Sequence, residues 1–254
     1  AVEATNVVAG DVSVKDFAGT IVSTEYDMPG TTSIDLAAVQ QVTVMTDPAT
    51  NEDLTTYPTL ATIADVIELN GSVTLTVDQA GLTLTGAGSY SVSDTADAIE
   101  AEVTDTSAGV LDGATMISSP DVLTLTVEEY KALDDEDTAL PPYPGASYRI
   151  NDSADAIEAE ISADGTSLGV LGGAQSVAST DGAITLTMAG ADALLGSTDL
   201  QTGYDLVDGA PGFLATPNMA TLTGADSITV EDVTVDQAMG LVNLQNMPGV
   251  DNLD

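Results

Sequence analysis

Carboxylates are the reactive groups this chain has in quantity. Its 41 Asp and Glu stand against three cations, Lys15, Lys131 and Arg149, and it contains neither histidine nor cysteine. General base catalysis near neutral pH draws first on histidine, and a thiolate nucleophile or thiolate metal site needs cysteine. A Ser–Lys arrangement would have to use Lys15 or Lys131, and neither lies in a recognisable motif. Paired carboxylates can hydrolyse glycosides, but a chain with 41 acids holds many pairs by chance, so pairing singles out no residues. The composition points away from an enzyme.

Calcium is the other chemistry carboxylates offer, because hard cations take oxygen ligands. The densest candidate ligand set is Asp134, Asp135, Glu136 and Asp137, in an acidic run that leads into Pro141-Pro142-Tyr143-Pro144. The competing reading of that run is a solvated loop. Asp94 with Asp97, and Asp152 with Asp155, form a second set, for which helix capping is the simpler reading. No Asp-x-Asp-x-Asp-Gly loop with a distal Glu occurs, which excludes an EF-hand. Ca²⁺ is therefore the candidate cofactor, and Asn70-Gly-Ser72 and Asn151-Asp-Ser153 are sequons that matter only where asparagine is glycosylated.

The net charge of −38 repels copies of the chain from one another at low salt. Salt or divalent cations relieve that repulsion, so an environment rich in either is expected. Three scattered cations cannot neutralise a phosphate backbone, and the same charge disfavours anionic membrane surfaces. No stretch approaches the length of a membrane span. An apolar fraction of 43% against 17% charged residues is still enough to build a core.

The elements that must carry these groups are repeated. Tyr90 to Val103 and Tyr148 to Ile161 align without gaps around a shared Asp-x-Ala-Asp-Ala-Ile-Glu-Ala-Glu. Gly109-Val-Leu-Asp-Gly-Ala114 then parallels Gly169-Val-Leu-Gly-Gly-Ala174. Strand-like runs stand at Ser72–Thr76, Val122–Thr126 and Ala183–Thr187, and Thr76-Val-Asp-Gln-Ala80 returns as Thr234-Val-Asp-Gln-Ala238. The unit is thus an alternating aliphatic-Thr-Leu-Thr strand, a short helix (from Val77, Val127 or Met188), a variable connector, a strand at Tyr90 or Tyr148, and a second helix opened by Asp94 or Asp152. Ala96, Ile99 and Val103 fall on one helical face, repeated by Ala154, Ile157 and Ile161, while Glu100 and Glu102 are expected to point away. A helix of about ten residues is marginal alone in water, so it must pack on neighbours. Leu60 to Leu69 carries a helix-like apolar face, and Tyr90 and Tyr148 read as packing residues at the rim of a core.

These patterns predict a β-rich α/β chain of short strands and helices, elongated and stacked like a solenoid. Residues 1–58 read as an N-terminal cap or diverged unit, 59–203 as the tandem repeats, and 204–254 as a C-terminal diverged unit or cap.

From Ser72 to Leu195 the pattern Tyr-x-Val/Ile-x-Asp-Thr/Ser-Ala-x-x-Ile, with its Thr-Leu-Thr-Val-x-x-Tyr/Ala partner, resembles the degenerate tandem repeats of very large secreted bacterial proteins of surface-layer, adhesin and matrix type. The resemblance implies a structural role at the cell surface, with no catalytic residues. The glycine-rich calcium nonapeptide of some such exoproteins is absent. The expected function is an extracellular, self-assembling structural protein of a filament, surface layer or matrix, whose partners are head-to-tail copies of itself. An adhesin segment that grips a surface polysaccharide or the cell envelope, stabilised by calcium, is the alternative. The intersubunit strand is expected at Ala1–Gly10 or Met239–Val250.

Overall fold

The computed structural model describes residues 13–17, 41–103, 108–133, 147–162, 164–215 and 218–246. Among them every strand pairing is parallel, and helices alternate with strands, so the fold class is α/β. The chain divides into two compact units: residues 1–121 with 132–146, and residues 122–131 with 147–254. The limits at 58 and 203 read from the sequence fall inside these units.

The first unit opens with β1 (Ser13–Phe17), β2 (Gln41–Met45), β3 (Glu52–Asp53), α1 (Leu60–Ile63) and β4 (Val66–Leu69). The apolar run from Leu60 to Leu69 is not one helix. It ends at Ile63, and Val66–Leu69 becomes a strand, because Val66, Ile67 and Leu69 are buried between parallel neighbours. The unit continues with β5 (Ser72–Leu75), α2 (Val77–Ala80), β6 (Thr83–Gly86), β7 (Ser89–Ser93), α3 (Ala96–Glu102), a 3₁₀ turn at Gly109–Leu111 and β8 (Ile117–Ser118).

The second unit holds β9 (Leu123–Leu125), α4 (Val127–Leu133), β10 (Tyr148–Asp152), α5 (Ala154–Glu160), a 3₁₀ turn at Gly169–Gly173 and β11 (Ser176–Ser179). The division between the units falls within α4, after Lys131. Next come β12 (Ile184–Leu186), α6 (Met188–Ser197), β13 (Asp199–Leu200), β14 (Tyr204–Gly209), α7 (Ala210–Ala215), α8 (Met219–Gly224), β15 (Ser227–Glu231) and α9 (Val235–Gln245).

Behind this order stands one module, used four times. Each module lays three parallel strands side by side in chain order: β1-β2-β4, β5-β7-β8, β9-β10-β11 and β12-β14-β15. In the second, third and fourth modules the first strand is followed by a threonine that starts a helix. Val73 and Leu75 point into the core while Ser72 is exposed, after which Thr76 accepts from the Gln79 N–H at 3.2 Å and its own N–H goes to Gln79 Oε1 at 3.0 Å. Thr126 and Glu129 repeat this box, and Thr187 keeps its first half with Gly190.

The sheets interlock within each unit. The first sheet is β1-β2-β4-β6, so its last strand comes from the chain of the second module. The second sheet, β3-β5-β7-β8, takes β3 from the chain of the first. In the second unit β13, which lies between β12 and β14 in sequence, closes the sheet of the third module, β9-β10-β11-β13. Where the chain of the first unit crosses between sheets the turns nearly touch. Gly88 donates to Leu69 O at 2.9 Å, and a Cβ on Gly88 would collide with the backbone of Gly71 and Leu69.

Candidate functional site

The carboxylates that recur in the repeat are structural ligands of the backbone. Asp94, Asp152 and Asp208 close the middle strands β7, β10 and β14. One oxygen of each accepts the N–H of the first residue in the module's preceding helix: Val77 at 2.9 Å, Val127 at 2.9 Å and Met188 at 3.1 Å. The other accepts the N–H of the next residue, Thr95 at 2.8 Å, Ser153 at 2.7 Å and Gly209 at 2.7 Å. Each aspartate therefore pins a helix start to the end of a strand 17 to 25 residues away. This corrects the reading of Asp94 and Asp152 as N-caps of their own helices, a place taken by Thr95 and Ser153, which accept from Ala98 and Ala156. In the first module Thr46 holds the corresponding place and bonds Glu68 O and the Asn70 N–H.

A second triplet locks the other side of each middle strand. The hydroxyl of Tyr90 donates to Val110 O at 3.2 Å and Asp112 O at 2.6 Å, that of Tyr148 to Val170 O at 2.8 Å, and that of Tyr204 to Thr221 O at 2.6 Å. Val110, Val170 and Thr221 stand just before Leu111, Leu171 and Leu222, which are buried with Ala114, Ala174 and Ala225 and the strand residues Ile117, Val177 and Ile228. Burial, then the nearby Asp112, raises the Tyr90 hydroxyl above its ordinary pKa of 10.0; burial, then Asp192 and Asp226, does the same for Tyr204.

The expected helical face is present in the first copy, where Ala96, Ile99 and Val103 are buried; in the second copy Ile157 is buried and Ala154 and Ile161 are half-buried. Glu102 does not point away. It turns back to accept the Val110 N–H at 3.1 Å, and Glu160 does likewise for Val170 at 3.2 Å while pairing with Lys131 at 2.7 Å. That bond to Glu160, with a second to Glu128, raises the pKa of Lys131. Asp97 and Asp155 sit exposed in the first turns of their helices. Asp134, Asp135, Glu136 and Asp137 lie outside the described residues. Among the described residues no group of three or more Asp or Glu is placed to hold a metal ion.

Two of the open surfaces bear on binding and assembly. In the first unit, an open polar cleft of about 360 Å³ lies along the turns that carry Thr50, Asn51, Asn70, Ser72 and Ser89. In the second unit, β15 ends the order β12-β14-β15, and among the described residues no strand pairs with its outer side. The equivalent sides of β4 and β11 are covered by β6 and β13, while that of β8 carries no strand among the described residues. Beyond β15 the chain shows Val233 (44% exposed), Met239 (76%) and Val242 (54%), large apolar side chains set in water. Met239–Gln245 belongs to α9, so this part of the expected intersubunit segment is helix, not strand; Ala1–Gly10 lies outside the described residues.

No protein-family model, curated protein or solved structure matches this chain.

Sequence reasoning placed the first strand and helix of the fourth module but read 204–254 only as a diverged unit or cap, although Tyr204-Asp-Leu-Val-Asp208-Gly-Ala210 keeps the Tyr-x-aliphatic-x-Asp-x-Ala spacing of the other two copies. Leu222-Thr-Gly-Ala225 likewise keeps the Leu-x-Gly-Ala of Leu111 and Leu171. The signal was there, hidden because α7 lacks the acidic Ala-Asp-Ala-Ile-Glu text.

Proposed function

We propose that this is a non-enzymatic extracellular structural protein, a subunit or segment of a self-assembling filament, surface layer or matrix. In this reading its modules stack into an elongated, solenoid-like array with atypical β-rich ends, and copies join head to tail. The observation that carries it is strand exchange. In the first and third modules the outer edge is completed by a strand from the module after it, β6 on β4 and β13 on β11. A fold that extends itself by handing strands forward is suited to long assemblies. Asp94, Asp152, Glu102 and Glu160 of the repeat hold backbone N–H groups, which supports a scaffold over a catalyst. Calcium acts here by screening and bridging carboxylates, with Asp134, Asp135, Glu136 and Asp137 as the candidate ligands.

Electron microscopy of the purified protein with and without CaCl₂ tests the proposal. Ordered polymers are the expected result, and monodisperse particles under every condition would overturn it. The polar cleft beside Asn70 favours a second reading, an adhesin segment that takes a hydroxyl-rich ligand such as surface polysaccharide. Glycan binding by monodisperse protein, lost in Asn51→Ala, would select it.

A further inference from the structure

Sheets in this protein have two unlike edges. Strands are added in chain order and always in parallel, so each sheet has a leading edge, where its first strand lies, and a trailing edge, beyond its third. Two trailing edges are covered by a strand in the same sense, β6 on β4 and β13 on β11. At β15, as at β8, the trailing edge carries no strand among the described residues, but β8 is followed in the chain by a further module that starts with its own strand β9, whereas β15 is followed directly by α9; Ser227, Thr229 and Glu231 are exposed on one face of β15. At β1 the leading edge of the first sheet likewise carries no other strand among the described residues, a condition it shares with β9 and β12.

The chain also begins a further module after β15. Thr234 donates its N–H to Gln237 Oε1 at 2.9 Å, the same contact that Thr76 makes with Gln79 at the start of the second module. The spacing differs in one respect. Nine residues separate Ile67 from Thr76 and Ile117 from Thr126, but six separate Ile228 from Thr234, too few for the first strand of a module. So α9 is a module-opening helix that lacks its strand, and it exposes Met239 and Val242.

We infer that the trailing edge at β15 takes up β1 of a second copy of this chain as a parallel strand, with the apolar side chains of Val233, Met239 and Val242 covered in the joint. Unlike edges make this contact heterologous. It preserves strand direction and chain order across the junction and leaves an uncapped β15 and β1 at the two ends, so copies go on adding unless the rotation per step closes a ring. Pairing β15 with its own copy would instead be antiparallel, a form of pairing absent among the described strands, and would stop at a dimer. This inference rests on the self-assembly reading above and specifies its joint.

Because the chain has no cysteine, single substitutions report the contact cleanly. Thr229→Cys protein is mixed with Lys15→Cys protein, or with Asp16→Cys because successive strand residues face opposite ways, under assembling salt and mild oxidation. Each variant is first checked against the parent by circular dichroism. The expected product is the mixed disulfide, with Thr229→Cys homodimers at the level of an unassembled control, and a ladder of linked chains when both cysteines are in one protein. A dominant Thr229→Cys homodimer overturns the inference in favour of a closed pair. Polymers without the mixed disulfide overturn it too, while leaving self-assembly intact. Failure to polymerise at any salt or calcium concentration removes both.

Discussion

The carboxylate of Asp208 accepts the N–H of Met188 at 3.1 Å and that of Gly209 at 2.7 Å, so one side chain holds the start of α6 against the end of β14. Asp94 does the same for Val77 and Asp152 for Val127. Losing such a bond leaves a helix-start N–H with no acceptor. Asp208→Ala is expected to lower stability by about 1–2 kcal/mol, and Asp94→Ala by a similar amount. The two residues lie in different compact units, so the double variant should lose the sum in urea melts. A double variant no weaker than either single would show that the aspartates act through one shared element.

Tyr204 and Gly224 are coupled by space. A Cβ on Gly224 would stand 2.8 Å from the Tyr204 hydroxyl oxygen, closer than carbon and oxygen pack. Gly224→Ala should therefore displace the hydroxyl from Thr221 O and cost about 2–3 kcal/mol. Tyr204→Phe loses the hydrogen bond alone, about 1 kcal/mol. Combined, the two should cost less than their sum, because the second change removes the atom that the first one strikes. Thermal unfolding of the four proteins measures this cycle.

Alkali should weaken the fold through the tyrosines. Tyr90 and Tyr204 have folded-state pKa values raised above 10.0, first by burial and then by neighbouring aspartates, so folding favours their neutral forms. That contribution is complete below the unfolded value near pH 10 and is lost as pH climbs through the raised folded values. Stability should fall above pH 10, and more gently in Tyr204→Phe. Absorbance titration at the phenolate band, run beside urea melts, would detect a Tyr204 that ionises at its ordinary pKa and so contradict the argument.

Gln79 is a buried polar side chain whose every bond is directional. Its Nε2 donates to Leu54 O at 2.9 Å and Tyr57 O at 3.1 Å, and its Oε1 accepts the Thr76 N–H at 3.0 Å. Gln79→Glu would set a carboxylate oxygen against two carbonyl oxygens. A loss of about 3 kcal/mol at neutral pH is expected, partly recovered on acidification as the carboxyl gains a proton. Glu129 tolerates the corresponding place in the third module because it is only half-buried. Equal stability of wild type and variant at pH 7 would remove the proposed role of the two carbonyls.

Salt should stabilise each molecule and promote contact between copies. With a net charge of −38, self-repulsion reaches about 30 Å at 10 mM salt and about 8 Å at physiological strength. Melting temperature should rise with NaCl, and a larger rise in CaCl₂ at matched ionic strength would separate cation bridging from screening. Identical curves would leave screening, or adaptation to a saline setting, as the whole explanation.

Much of the fold could be read from the sequence where pattern and packing agree. The aliphatic-Thr-Leu-Thr runs became β5, β9 and β12, and the segments after Thr76, Thr126 and Thr187 became helices, since alternation and threonine capping are local properties. The long-range use of local signals stayed hidden. Asp94 is a good N-cap by type, yet the adjacent Thr95 caps α3 and frees the carboxylate for Val77, a choice set by the pairing of β5 with β7. Leu60–Leu69 is helical by period, but burial on both faces of a parallel sheet turns its second half into a strand. Glu102 reads as a solvent-facing residue until the turn at Gly109–Leu111 comes back beneath it.

Since β6 belongs to the second module by sequence and to the first sheet by hydrogen bonding, neither module of that unit can come apart alone. Peeling the second away strips a strand from the first, and removing the first takes β3 from the second. The smallest piece that can melt or refold cooperatively is thus the pair. Under tension that unit would yield both of its modules in one step, releasing both of its sheets together.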